Sequence, residues 1–205
     1  HAGTQKFRQA LGLVAPSKTN PNAIELPPYY PDLPEVRQDI ARHYDNIRTM
    51  DAKVGAILAA LEKDGLAEST IIIWTTDHGD GLPRAKRELL DTGIHVPMII
   101  YVPEQLAKGT LAALRPQVQG YSEDNNAALT SQLISFVDLA PTILQLAGIS
   151  PPDYLHGRDF LQGLGSTKTS RERGPRRYIY ASRDRIDEVI DKQRAIRSHD
   201  YKYIR

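Results

Sequence analysis

Ile71-Ile72-Ile73-Trp74-Thr75-Thr76-Asp77-His78-Gly79-Asp80-Gly81, followed shortly by Lys86, is the stretch whose reading decides the fold. A run of apolar, largely β-branched residues ends in an acid, an imidazole and two glycines. Open α/β sheets hold ligands beyond the carboxyl ends of their strands, and that is where Asp77 and His78 fall. Gly79 and Gly81 permit the tight backbone that would turn both side chains toward one cation. Taken alone, the dipeptide also reads as a turn-capping acid beside a half-buried histidine, because short motifs often arise by accident. Lys86, among Arg84, Arg87 and Glu88, is open to two readings. It is a solvated charge, or an ammonium that binds an anionic oxygen or protonates a leaving group.

Working outward, a second apolar strand is expected at Pro97-Met98-Ile99-Ile100-Tyr101-Val102, with a loop from Asp77 to Val96 between the two. The first strand, Thr70 to Thr75, is apolar on both faces, as a central strand covered by helices would be. Upstream, Val36, Ile40, Tyr44, Ile47, Val54, Ile57, Leu58 and Leu61 recur at three- and four-residue steps. They predict an amphipathic helix of roughly 28 residues with one face on a sheet. Asp32 and Glu35 have the spacing of a capping box, Pro34 suits the first turn, and Gly65 is a left-handed stop. Before the helix, residues 1–33 read as a proline-rich approach, with a short helical turn in His1 to Leu13, Leu26 to Tyr30 extended, and Tyr29 and Tyr30 packing. Residues 104–130 read as loop with one short helix, and Asp138 to Leu146 as a helix with Pro141 in its first turn. From Ser150 to Pro175 the texture is linker-like. Three short strands are then expected at Tyr178 to Ser182, Gln193 to Ser198 and Tyr201 to Arg205, the last two joined through His199-Asp200. The class is α/β, with residues 1–150 as a strand–helix core and 151–205 as linker and a small antiparallel β subdomain, which stops inside a strand.

Composition narrows the chemistry. With 26 basic and 25 acidic residues the net charge is +1, so no overall field recruits nucleic acid or a membrane surface. The 205 residues contain no cysteine, which removes disulfides, thiolate metal sites and cysteine nucleophiles. No apolar run reaches the roughly 18 residues that a membrane span needs.

The ordered set of segments resembles the sulfatase family of the alkaline-phosphatase-like α/β/α superfamily. The resemblance rests on Thr76-Asp77-His78-Gly79, Lys86 and Gly93-Ile94-His95-Val96-Pro97-Met98-Ile99-Ile100. It extends to Tyr44 through Gly55, Asp138-Leu139-Ala140-Pro141-Thr142-Ile143, Gly157-Arg158, and Arg194-Ala195-Ile196-Arg197 before Tyr201-Lys202-Tyr203. Together these cover about residues 26 to 205, and Leu26 to Gly65 looks closest to the heparan N-sulfatase (sulfamidase) branch. The resemblance implies a portion of an α/β/α sandwich followed by the small antiparallel subdomain. It implies hydrolysis of sulfate esters or sulfamates, with a formylglycine hydrate as nucleophile and one divalent cation, commonly calcium. Asp77 and His78 would be metal ligands, and Lys86 would contact the sulfate and its bridging oxygen. His78 stands where many members have asparagine, and imidazole suits manganese, iron or zinc better than calcium.

The chain departs from the pattern in one respect. It has neither a cysteine nor a Ser-x-Pro-x-Arg motif; the nearest segment, Ser150-Pro151-Pro152-Asp153-Tyr154, lacks the arginine. By resemblance, the formylglycine, its arginine and two further metal-binding acids belong to the family's N-terminal half. The chain is therefore expected to be a C-terminal fragment of a sulfatase, inactive alone, whose partners are that half and a sulfated small molecule or sugar. Two other readings stand beside it: a phosphonate or phosphate-ester hydrolase of the same superfamily, and a catalytically silent binding module. His1 is the candidate for a substrate-binding histidine. Arg183-Asp184-Arg185 could line a pocket for an acidic sugar or be a solvated charge run. His95 reads as a supporting residue, and His43, His156 and His199 as structural or exposed. A periplasmic, lysosomal or secreted location follows from resemblance only.

Overall fold

The computed structural model describes residues 18–107, 132–161 and 176–205. Expectations for His1 and its helical turn, for most of residues 104–130 and for Ser166 to Pro175 lie outside the described residues. The chain divides into two compact units, His1–Thr70 with Gly81–Pro83, and Ile71–Asp80 with Arg84–Arg205.

The first unit is dominated by helix α1, Pro34–Lys63, which is 30 residues long. Its start corrects one expectation. The cap residue is Leu33, which makes no side-chain cap bond. Asp32 is instead drawn to Arg37, whose Nη2 donates to it at 2.9 Å, because a guanidinium within reach outcompetes a backbone N–H for a carboxylate. The other end is as expected, with Gly65 at φ +69° and the Leu66 amide donating back to the Leu61 carbonyl at 3.0 Å. Ile24, Ile40 and Ala41 form the buried cluster, with Leu26, Tyr30, Val36 and Leu82 packed around it. Leu26 to Tyr30 is not extended. Pro27 and Pro28 fix a turn, closed by the Tyr30 amide on the Pro27 carbonyl at 3.0 Å. Tyr30 then reaches the Pro83 carbonyl with its hydroxyl at 2.7 Å. Farther along α1, Tyr44, Ile47, Met50, Ile57 and Leu58 are exposed, so the face expected to be covered is open.

In the second unit, β1 (Ile72–Thr75) pairs antiparallel with β2 (Met98–Tyr101), Ile72 opposite Tyr101 and Thr75 opposite Met98. All four β1 residues are half-buried rather than enclosed, because among the described residues β1 has β2 as its one neighbour. Two short helices flank β2 in sequence, α2 (Asp91–Ile94) and α3 (Glu104–Ala107). Helix α4, Leu139–Leu146, follows a single 3₁₀ turn, Phe136–Asp138. A three-stranded antiparallel sheet closes the chain: β3 (Ile179–Ile186), β4 (Val189–Arg197) and β5 (Lys202–Ile204). The expected turn at His199-Asp200 forms, with the Ser198 amide on the Tyr201 carbonyl at 2.8 Å. Strands β3 and β4 run farther than expected and meet at Asp187-Glu188, where Asp187 adopts φ +51°.

Asp138 anchors this unit. Its carboxylate takes backbone N–H bonds from Ser135 at 3.0 Å and Arg158 at 2.8 Å, and a side-chain bond from Arg176 Nε at 2.6 Å. Thr142 donates to the Asp138 carbonyl at 2.7 Å and accepts from the Phe160 amide at 3.2 Å. The segment from Gly157 to Phe160 is therefore tied to α4, not a free linker. A Cβ at Gly157 would lie 1.8 Å from the Val137 carbonyl oxygen, so glycine there marks a close approach rather than slack chain.

Candidate active site

Strand β1 delivers Asp77 and His78 to the loop beyond its carboxyl end. Thr75 donates to the Pro97 carbonyl at 2.9 Å and Thr76 to the His78 carbonyl at 3.0 Å, which fixes where the strand stops and the turn begins. His78 Nδ1 lies 2.7 Å from the Gly79 carbonyl oxygen. A carbonyl only accepts, so Nδ1 is the donor in this bond. Nε2 stands 3.4 Å from Asp77 Oδ2. Metal-binding histidines commonly donate their second N–H to a carbonyl in this way. Asp77 is 86% exposed at its side chain and His78 37%, so both can reach a ligand. Among the described residues no third histidine or acid joins them to make a metal-binding group.

The loop from Asp80 to Gly93 is folded back onto this dipeptide. The Gly79 amide donates to the Gly93 carbonyl at 3.0 Å, and the Lys86 amide to the Asp80 carbonyl at 2.8 Å. Both glycines are needed by contact. A Cβ on Gly79 would meet the Thr92 carbonyl oxygen at 1.8 Å, and one on Gly93 would meet the Glu88 carbonyl oxygen at 2.2 Å. Lys86 is half-buried, and among the described residues its ammonium has no hydrogen-bond or ion-pair partner. It is bracketed by Arg84 at φ +65° and Arg87 at φ +73°, left-handed conformations that cost of order 1 kcal/mol each outside glycine.

A cavity of about 500 Å³ opens beside the pair, with Asp77 and His78 on its wall together with Ser182, Arg183 and Arg185. Lys86 is not among its lining residues. The two arginines are used differently. Arg183 is 7% exposed at its side chain; it donates to Glu88 Oε2 at 2.7 Å and to the Arg87 carbonyl at 2.9 Å, and also pairs with Asp191. Arg185 is exposed and, among the described residues, has no ion-pair partner. Residues two apart on a regular strand share a face, and the register shift between Arg183 and Arg185 breaks that rule. His95 is exposed, and its amide donates to the Asp91 carbonyl at 2.8 Å.

Two residues that carry the resemblance were given no role in the site by the sequence. Arg197 and Lys202 are directly opposite each other on β4 and β5. Both reach Asp91, at 3.2 and 2.7 Å. Like charges in register repel, so two facing cations in a predicted hairpin are themselves a signal that an anion sits between them. Asp91 is held below the ordinary carboxylate range: burial pushes it up, but the Lys202 hydrogen bond and the charges of Lys202, Arg197 and His95 outweigh that.

Comparison with known proteins identifies the family. The family model described as Sulfatase matches residues 8–149. The ulvan-active sulfatase of Formosa agariphila is 42% identical over 180 residues, covering 88% of this chain and 26% of that protein. Human N-sulphoglucosamine sulphohydrolase is 28% identical, covering 73% of this chain and 28% of that protein. The chain thus spans about a quarter of the length of these curated relatives. A solved structure of a protein with its substrate D-glucosamine-2-N,6-O-disulfate superposes with a TM-score of 0.54 at 24% identity, covering 82% of this chain and 31% of that one. At that identity the likeness speaks for the alkaline-phosphatase-like α/β fold.

Proposed function

The chain belongs to the sulfatase family, and we propose that it forms the C-terminal wall of an active site that hydrolyses sulfate esters or sulfamates of sugars. The observation that carries this reading is the convergence of His78 Nε2 and Asp77 Oδ2, 3.4 Å apart, at the end of β1. A carboxylate and an imidazole meeting at one strand end are donor types that a divalent cation takes. The donor set, one carboxylate and one imidazole, fits two positions of such an ion and leaves the remainder to other residues. Calcium takes about 6–8 oxygen ligands, so the imidazole makes manganese or zinc the alternatives to test beside it. When bound, the ion supplies positive charge next to the sulfate oxygens.

The protein's own residues divide the remaining work. Asp77 and His78 would hold the ion, and the His78 Nδ1 bond to the Gly79 carbonyl fixes the ring. Lys86, whose ammonium is uncommitted among the described residues, is the group that faces the sulfate. As the S–O bond to the sugar breaks, the departing oxygen gains negative charge, and a lysine ammonium can stabilise or protonate it. The formylglycine nucleophile is assigned to residues outside these 205, which carry neither a cysteine nor a Ser-x-Pro-x-Arg motif. On this reading the 205-residue chain has no turnover by itself. Arg185, exposed on the cavity wall, is the cation offered to an acidic or sulfated sugar. The disulfated glucosamine named as substrate of the structural neighbour supports a sulfated sugar as the class.

The test compares aryl sulfate with aryl phosphodiester hydrolysis by the intact protein, alongside Lys86→Ala. A faster sulfate reaction, lowered about 10²- to 10⁴-fold in the variant, is expected. A faster phosphodiester reaction would assign the protein to the phosphate-ester side of the superfamily. No turnover of either would leave the silent binding module.

A further inference from the structure

We infer that the C-terminal antiparallel sheet positions Lys86, by means of three buried or half-buried cations that grip the five residues after it. The inference rests on the reading of Lys86 as the ammonium facing the sulfate.

The grip falls on Arg87, Glu88, Leu89 and Asp91. Arg183 on β3 donates to the Arg87 carbonyl at 2.9 Å and pairs with Glu88 at 2.7 Å. Lys202 on β5 donates to the Leu89 carbonyl at 2.5 Å and pairs with Asp91 at 2.7 Å. Arg197 on β4 reaches the same Asp91 at 3.2 Å. Each strand of the sheet therefore contributes one cation, and each cation lands within five residues of Lys86. Two of the bonds go to backbone carbonyls, so they fix where the chain runs, whichever side chains it carries. A further contact, the ion pair of Arg87 with Asp187 at 2.5 Å, adds the β3–β4 turn.

The loop gives a physical reason for so many anchors. Lys86 lies between two left-handed arginines, conformations that relax unless the surroundings hold them. Upstream, the segment is pinned by the Lys86 amide on the Asp80 carbonyl and by Thr92 on the Arg84 carbonyl. Downstream, the bond from Arg183 to the Arg87 carbonyl is the matching pin. Lysine has a long, rotatable side chain, so the place of its ammonium depends on the backbone beneath it. A carboxylate or guanidinium placed only to attach the sheet would not need to converge on the loop that carries Lys86. Arg183, Arg197 and Lys202 are on this account positioning residues, acting through the backbone that follows Lys86.

The test uses the intact enzyme and a series of aryl sulfates whose leaving phenols differ in acidity. Lys202→Met is the first variant, with Lys202→Arg as rescue. Arg183→Gln is the second, made separately because it leaves two carboxylates unpaired. Losing the positioned ammonium should matter most when the leaving oxygen is most basic. Each loss variant is expected to lower kcat by about tenfold to a hundredfold for the poorest leaving group, with KM nearly unchanged and a steeper dependence on phenol acidity. Neither should add to the loss already caused by Lys86→Ala, and Lys202→Arg should restore the parent slope. Equal slowing across the series, or a further loss in the Lys86→Ala background, would show a merely structural sheet and overturn the inference. If Lys86→Ala itself leaves the slope unchanged, the reading of Lys86 fails and the inference with it. A changed slope in Lys86→Ala and an unchanged one in both loss variants sinks the inference alone.

Discussion

Arg183 donates from Nη1 to the backbone carbonyl of Arg87 at 2.9 Å, a bond across 96 positions of sequence that joins strand β3 to the residue after Lys86. It links the antiparallel sheet to the loop of the candidate site within a single compact unit. The two terminal nitrogens of the guanidinium are taken by Glu88, Asp191 and that carbonyl, while the neighbouring Arg185 is an exposed cation of the cavity wall.

The loop around Lys86 should not tolerate a methyl group at its two points of closest approach. A Cβ on Gly79 or Gly93 would overlap backbone oxygen at 1.8 or 2.2 Å, and backbone cannot step aside as a side chain can. Gly79→Ala and Gly93→Ala are each expected to cost about 1–3 kcal/mol by overpacking. Urea unfolding of the intact protein measures this; a midpoint equal to the parent's would mean that the loop is not packed as described. Gly55, with nothing within 4 Å of its Cβ position, is the control.

Acid should loosen the second unit through Asp138 and Asp91, both held below their ordinary value of 3.8. For Asp138, burial pushes the carboxyl up, while the Arg176 hydrogen bond and the amides of Arg158 and Ser135 outweigh it. A carboxyl with a lower pKa folded than unfolded binds fewer protons in the native state. Its stabilisation is complete above the unfolded value and disappears as pH falls through the folded one. Stability carried by these two groups is therefore expected to hold down to about pH 5 and fall below about pH 4. Asp159, raised by burial, runs the opposite way and offsets part of the fall. Asp138→Ala should cost about 3–5 kcal/mol near neutrality, because it strands the Arg176 charge, and should flatten the acid slope. Unfolding free energies measured from neutral to acid pH decide this; a variant with the parent's slope would contradict it.

Much of the site was legible because strand ends and helix periodicity are local signals. The apolar run ending in Asp77-His78 and the α1 stripe needed nothing beyond their own neighbours. What was not legible depended on distant partners. Asp32 and Glu35 have capping-box spacing, yet Arg37 takes Asp32. Arg183 read either as a pocket residue or as a solvated charge; it lines the cavity, and its pairing with Glu88 and Asp191 was hidden because those partners are remote or across a turn that the charged run Arg183 to Glu188 disguised. Gly157 read as linker because a glycine for close approach and a glycine for slack are identical in sequence.

Divalent-metal content and affinity of the intact protein test the central claim most directly. The parent, Asp77→Asn, His78→Ala and Arg185→Ala would be compared by elemental analysis and competitive chelation. The expected result is a bound divalent ion in the parent and in Arg185→Ala, and an affinity lowered at least about tenfold in each of the other two. Parent-like metal content and affinity in both Asp77→Asn and His78→Ala would contradict the assignment of this pair as half of a metal site.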